Sequence, residues 1–489
     1  MYDHTKQYRC TIIRGKSKKE MDDLLPAYAM VIDNICPCSI DEFDQLFNNA
    51  FLRFLPESLR KQQYSDATKK TLDNHRTEIS GKLFGMYYRA EDGMVYESQR
   101  TLKYLEDNDQ PAFFKDICYK MQFPNGMDST HTVQQRIKNG IKIKPNAFVL
   151  KMLQIAQTAN HPITVKDVGY YILNSLDVLQ GNTNPYEVLE AIIEDHKHGL
   201  QREVVAYDEK GRRKASSFTM QHIREQLNYL ELANLIRITD DKRVILNPNE
   251  AETISLFTIE YNNAPDFDVY SYDLENKDVR KAFQYDWDSY FARLSAYANA
   301  FSTHASALLY KEGEKAEKDK ESQNSDTSQN GTNTVELGDE GEALVYEYEK
   351  KRVSAYNARL ANKVLTLGKT KGLGYDIQSV IAEPGDMDEF VKYIEVKSTK
   401  RYTSPDPNDT MWIDTINVTR NEWIAAKQHG QFYSIARVYF TSQGATMFIL
   451  SNIAGKLADG RISATPMTYR LDFSNSSVDQ HVVLQKNTS

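Results

Sequence analysis

The sequence predicts a multidomain chain: a mainly α N-terminal part with helix-plus-hairpin (α+β) modules, a flexible linker, and a compact C-terminal α/β domain. Three observations carry this reading. The run Lys311–Thr334, KEGEKAEKDKESQNSDTSQNGTNT, holds almost nothing apolar. Such a run cannot offset its ordering entropy by burial, so it reads as a tether. Before it, apolar residues recur at three- and four-residue spacing, as in Phe43, Leu46, Phe47, Phe51 and Leu55, the period of an amphipathic helix. After it, Tyr393-Ile394-Glu395-Val396-Lys397 alternates as a strand does, and Phe432–Phe440 and Met447–Leu450 are dense apolar runs.

At 489 residues the chain is long enough for two to four cores. The expected order is a helical recognition region over 1–144, helix-plus-hairpin modules over 145–260 and a helical connector over 261–310. A flexible linker over 311–336, an α/β domain over 337–475 and a tail over 476–489 complete it. The hydrophobic share of 40% and charged share of 26% are ordinary for a globular protein. No apolar run is long enough to span a bilayer, and the start MYDHTKQYRC lacks a signal-peptide profile. Four scattered cysteines fit a reducing cytoplasm. Cys36-Pro37-Cys38 could open a zinc site, but no second Cys or His pair follows at suitable spacing.

The net charge of −8 argues against indiscriminate coating of nucleic acid, although local patches can still steer a polyanion. Ser129–Lys166 lacks acids and carries Arg136, Lys138, Lys142 and Lys144. Within 145–260, one expected module runs through helix Ala147–Gln157, the turn Asn160-His161-Pro162 and a second helix capped by Thr164. The other is helix Thr219–Ala233, then Leu235–Ile238, the turn Thr239–Lys242 and Val244–Leu246. A helix leading into a short hairpin is the winged-helix arrangement, in which the helix enters a major groove and the hairpin touches backbone. Arg212, Arg213 and Lys214, just upstream, would meet phosphates. The polar stretch Thr71–Tyr87 could face a duplex or be plain helix surface.

The chemistry concentrates at the C-terminal end. Side chains two apart on a strand share a face, so Glu395 and Lys397 project together while Ile394 and Val396 anchor the opposite face. Nineteen residues upstream of Glu395, the Gly-rich approach GKTKGLGYDI delivers Asp376. Two carboxylates and an ammonium converging can hold a hard divalent cation beside a water. Glu342, Tyr346 and Glu349 share a helical face. Thr419 and Glu422 form a capping box for a helix ending at Gly430; Lys427 on that helix could contact a phosphate with Glu422 assisting, or the two could be plain surface and capping residues. Lys369 and Lys371 precede Asp376 and could guide a nucleic-acid backbone.

The ordered segments GEALVYEYEK, GYDIQS, YIEVKST and VTRNEWIAAKQHGQFYSIARVY, over about 337–452, resemble the NO VEIN C-terminal domain family, a branch of the PD-(D/E)xK nuclease superfamily with a restriction-endonuclease-like fold. The resemblance implies catalytic Asp376, Glu395 and Lys397 and a helix glutamate at Glu342, with Tyr375 at the position of the motif's proline. It implies Mg²⁺ held by Asp376, Glu395 and the Val396 carbonyl. Glu342 would hold a second ion or orient the first through water. The N-terminal half is similar to recognition regions of type II/IIS restriction endonucleases. The implied activity is sequence-specific, Mg²⁺-dependent cleavage of double-stranded DNA in a prokaryotic restriction or phage-defence system. A transient homodimer would cut both strands, and a cognate methyltransferase is a possible partner. A modification-dependent nuclease, a branched-DNA or repair nuclease, and a non-catalytic winged-helix DNA-binding protein stay open as alternatives.

Overall fold

The computed structural model describes residues 2–10, 17–204, 216–303, 333–368, 373–381, 390–409, 412–465 and 470–484. Arg212, Arg213, Lys214, Lys369, Lys371 and most of the expected linker lie outside them. The chain divides into two units, Met1–Tyr104 with Pro111–Ser302, and Leu105–Gln110 with Thr303–Ser489. Among the described residues no helix is long and apolar enough to cross a membrane.

The first unit is largely helical, as its periodicity predicts. Helix Lys18–Ile35 starts at a Ser17–Glu20 capping box, and helix Ile40–Phe51 buries Phe43, Phe47 and Phe51 at four-residue spacing. Leu46 falls off that stripe and is 39% exposed. A small sheet, Cys38–Ser39, Met94–Glu97 and Tyr87–Arg89 in spatial order, interrupts the helices. The stretch Thr71–Tyr87 faces inward rather than toward a duplex: His75, Arg76 and Ser80 are buried. The expected connector over 261–310 belongs to this unit as far as Ser302. Its helix Lys277–Ala292 buries Phe283, Trp287 and Phe291.

The two expected winged-helix modules are one body. Helix Ser216–Leu232 does lead into strands Ile236–Ile238 and Val244–Leu246. The hairpin is stitched to the earlier segment, because Val244 N donates to Ile163 O at 2.8 Å and Val165 N to Lys242 O at 3.0 Å. Hydrogen bonds between segments about 80 positions apart leave no signature in local periodicity. Thr164 caps Val165–Asp167 as its residue type predicts, with Asp167 completing the box.

The second unit is a layered α/β body around a mixed sheet. Its elements are α1 (Asn333–Tyr356), β1 (Leu365–Thr366), β2 (Ile377–Ile381), β3 (Phe390–Lys400), β4 (Ile413–Asn417), α2 (Arg420–His429), β5 (Tyr433–Thr441), β6 (Gly444–Ser451), β7 (Ser463–Thr465), β8 (Arg470–Ser474) and β9 (Gln480–Leu484). The main sheet runs β9-β6-β5-β3-β2-β1, and β7-β8-β4 form a second one. Only β3 and β5 pair in parallel in the main sheet, with α2 in the crossover between them. The sequence pattern marks β3, α2, β5 and β6 and the approach to β2, but not β1, β4, β7, β8 or β9, the last of which lies inside the expected tail. β1 is only two residues long, too short for alternation to mark it.

β3 divides the unit's core by the strand period. Ile394 and Val396 pack with Val345 and Val353 of α1 and Ala436 and Val438 of β5. Tyr393 packs on the other face with Trp423 of α2 and Tyr433 and Ile435. Burying each such large apolar side chain contributes about 1.5–3 kcal/mol. Glu349 of α1 is buried and ties helix to sheet, pairing with Lys392 at 3.0 Å and Arg352 at 2.8 Å and accepting from Ser379 Oγ at 2.7 Å.

Candidate active site

The site forms where β2 stops short of β3. Their antiparallel register ends at Ile377 opposite Ile394, so beyond Ile394 the edge of β3 no longer has a strand partner on that side. Asp376 fills the gap. Its N–H donates to Ile394 O at 2.9 Å, and its Oδ2 accepts from Val396 N at 2.8 Å. A carboxylate thus stands where the next rung of the ladder would be, fixed beside Glu395.

The turn feeding Asp376 needs its glycine. Gly374 has φ +76°, and a Cβ there would lie 2.5 Å from Asn421 O of α2. Its carbonyl accepts from Tyr433 Oη at 3.0 Å, pinning the turn to β5. Gly374→Ala therefore adds a left-handed penalty of about 1–2 kcal/mol to a backbone clash. We expect this variant to lower the urea midpoint of the second unit, as read by circular dichroism.

Glu395 and Lys397 share the face of β3 turned toward α2, as the strand period requires. Lys397 Nζ lies 2.8 Å from Glu395 Oε1 and 2.9 Å from Glu422 Oε2. Glu422 combines two duties. It is buried, it closes the capping box by accepting from Thr419 N at 3.0 Å, and it supplies a third carboxylate to the cluster. The capping signature is legible in the sequence; the pairing with Lys397 depends on how α2 is laid across the sheet.

Charge in the cluster is unbalanced. Three carboxylates, Asp376, Glu395 and Glu422, face one ammonium. Burial pushes the Asp376 carboxyl up, opposed by the Val396 N–H and by Lys397. Burial drives Glu395 well above the carboxylate range, the charges of Asp376 and Glu422 adding to it against Lys397. The two flanking carboxylates outweigh desolvation and hold Lys397 firmly charged.

This donor set suits a hard cation. Glu395 is buried and Asp376 half-buried, and ionised they leave the cluster with excess negative charge that a divalent ion could offset. Among the described residues, no group of three or more Asp, Glu, His or Cys side chains is placed to hold a metal ion.

Glu342 sits on α1, which packs on the Ile394–Val396 face of β3, opposite the face that carries Glu395 and Lys397. Gly341 allows α1 close to β3, since a Cβ there would sit 1.9 Å from Ser398 Oγ. The Glu342 carboxylate lies against Gly368, where a Cβ would be 2.5 Å from Oε2. The neighbouring Leu367 N donates to Asp376 O at 2.6 Å.

The basic residues expected to bind DNA divide. Lys138 and Lys142 are exposed. Arg136 and Lys144 are not available to a phosphate, a correction to the expectation. Arg136 is 3% exposed, pairs with Asp128 and lies over the Phe123 ring. Lys144 is 3% exposed and pairs with Asp266 at 2.9 Å and Glu260 at 3.3 Å. Glu260 and Asp266 lie far outside the acid-free run, so the run alone could not reveal that its cations are neutralised in three dimensions.

Comparison with known proteins bears on both units. The family described as "Restriction endonuclease BpuJI - N terminal" matches residues 2–288. The family described as "Protein NO VEIN, C-terminal" matches residues 341–450. Among solved structures, the chain is similar to the BpuJ1 endonuclease binding domain, crystallised in complex with pyrene- and phenanthrene-modified DNA. Sequence identity is 49% over 60% of this chain and 100% of that one, with a TM-score of 0.55. No curated protein matches.

Proposed function

The chain belongs to the family described as "Restriction endonuclease BpuJI - N terminal", and from that premise we propose that it is a sequence-specific, Mg²⁺-dependent DNA endonuclease of the PD-(D/E)xK kind, serving a restriction or phage-defence system. Its first unit recognises duplex DNA, and its second hydrolyses a phosphodiester bond. The observation that carries the second half is the cluster of half-buried Asp376 and Lys397 around buried Glu395, built at the open edge of β3 and completed by Glu422.

In this reading Asp376 and Glu395 hold the ion and orient its waters. When bound, Mg²⁺ supplies Lewis-acid stabilisation of the phosphate and acidifies a water. Lys397 stays charged next to Glu395 and stabilises the developing phosphorane charge as a fixed point charge. Glu422 holds the Lys397 ammonium in place from α2. Recognition rests on the helix Ser216–Leu232 and its hairpin, used as one winged helix, with Lys138 and Lys142 available to phosphates. The deciding experiment is supercoiled plasmid incubated with the full chain in Mg²⁺ or in EDTA. Mg²⁺-dependent cutting with fragment ends at a fixed offset from one sequence is expected. Intact plasmid in every Mg²⁺ condition removes the reading.

Proton linkage gives a second test. Asp376 and Glu395 have folded-state pKa values raised above their unfolded ones. Their contribution to stability is therefore fully present below the unfolded carboxylate range and lost as pH rises through the folded values. In EDTA the Tm of the second unit should fall as pH rises from about 5 to 8. Mg²⁺ should restore Tm most at the alkaline end, where the carboxyls it binds are ionised. Differential scanning calorimetry across that range checks both slopes; a Mg²⁺ effect that is absent, or larger at acid pH, contradicts the assigned ligands.

A further inference from the structure

Three aromatic rings stand beside the catalytic cluster with no catalytic duty. Tyr375 directly precedes Asp376. Tyr393 lies two residues before Glu395 on the same face of β3. His429 is the last residue of α2, seven positions, about two turns, after Glu422 and so on the same side of that helix. The rings touch. Tyr375 and Tyr393 meet edge-on at 4.8 Å, and Tyr393 stacks on His429 at 3.7 Å and 26°. Tyr375 and His429 are 6.0 Å apart.

Packing explains part of this arrangement, since Tyr375 and Tyr393 border the core beneath α2. It does not explain the polar atoms. All three rings are half-buried, and among the described residues neither tyrosine hydroxyl nor either His429 nitrogen has a hydrogen-bond partner. Burial lowers the His429 pKa, so near neutrality the ring presents a neutral π-face rather than a cation for phosphate. A second stacked pair, Phe390 and Phe432 at 5.5 Å and 18°, lies at the same end of β3, with Phe390 49% exposed.

We infer that Tyr375, Tyr393 and His429 form a stacking platform for an unstacked nucleobase next to the phosphate being cut. Residues two apart on a strand are separated by about 6.6 Å, so the platform is roughly one nucleotide's reach from Glu395. Every base has a π-face, so such a platform discriminates by strand opening rather than by sequence. It deepens the nuclease reading, on which its role in cleavage rests. The preferred substrate of the second unit is then DNA that is single-stranded or locally opened at the cut.

The test uses the full chain in EDTA, where no cleavage occurs, with a single-stranded oligonucleotide carrying 5-iodouracil, which cross-links under ultraviolet light to a stacked aromatic ring. Peptide mapping should place cross-links on Tyr375, Tyr393 or His429. Tyr393→Leu should lower their yield about tenfold, a loss within the range of one base–ring stack, whereas Tyr393→Phe, which keeps the ring, should retain it. Cross-links confined to other residues overturn the platform, even if Mg²⁺-dependent plasmid cutting is intact. Cross-links on these rings in a chain that never cuts keep the platform and remove the nuclease reading instead.

Discussion

Glu395→Gln should abolish cleavage and, at the same time, make the second unit more stable. The two expectations come from one fact: Glu395 is buried among like charges that push its carboxyl far up. An amide of the same shape removes the penalty for ionising there, a gain on the order of 1 kcal/mol for each pKa unit relieved. It also removes a carboxylate needed to hold the metal. Lys397 keeps its partner Glu422 at 2.9 Å, so no buried ammonium is left alone. Lys397→Ala is the complementary variant. It should lower the cutting rate by about 10²–10³-fold, the usual effect of deleting one group that stabilises transition-state charge. It should not stabilise, because Glu395 and Glu422 then share a site without a counter-charge. Rates on plasmid, urea midpoints and gel shifts on target DNA separate the effects. Wild-type cutting by Glu395→Gln would sink the nuclease reading, and impaired binding by either variant would mean that the cluster does more than catalysis.

How much of this could be read from the sequence depends on how local each feature is. The Glu395–Lys397 face follows from a two-residue period, and the Thr419–Glu422 box from a three-residue spacing, so both were legible. Asp376 was legible as a residue, since it follows a Gly-rich turn, but its bond to Val396 N requires knowing that β2 stops at Ile377. Glu422 as the second partner of Lys397, and the aromatic row Tyr375–Tyr393–His429, arise from laying α2 across the sheet. Arg136 and Lys144 mark the opposite limit: a run without acids in sequence has its acids supplied by Asp128, Glu260 and Asp266 in space. Similarly, two stretches that read as separate helix-plus-hairpin modules are joined by the bonds between Ile163–Val165 and Lys242–Val244. Local pattern gives elements and caps; pairing of distant charges and strands is set by topology.

The largest loss of stability is expected from Arg100→Met in the first unit. Arg100 is 1% exposed, and every arm of its guanidinium is committed. Nε donates to Asp116 Oδ2 at 2.8 Å, Nη1 to Phe84 O at 2.6 Å and Nη2 to Phe291 O at 2.9 Å, while the group lies over the Phe291 ring at 4.7 Å. Asp116 in turn accepts from Ser295 N at 2.8 Å. One side chain therefore joins three stretches of chain, at Phe84, Asp116 and Phe291. Methionine fills much of the volume but leaves the Asp116 carboxylate buried without its cation and two carbonyls without donors. Breaking a buried ion pair from one side costs about 3–5 kcal/mol, and each stranded carbonyl adds about 1–3 kcal/mol. Against a total stability of about 5–15 kcal/mol, the unit should be largely unfolded near 37 °C. Circular dichroism in urea should show a collapsed midpoint, with DNA binding lost along with the helical signal rather than ahead of it. Arg100→Met combined with Asp116→Leu should recover part of the loss, because the orphaned charge goes too. A single variant as stable as wild type would mean that the pair and its carbonyls are dispensable. A double variant no better than the single would place the cost in the carbonyls at Phe84 and Phe291 instead of in the carboxylate.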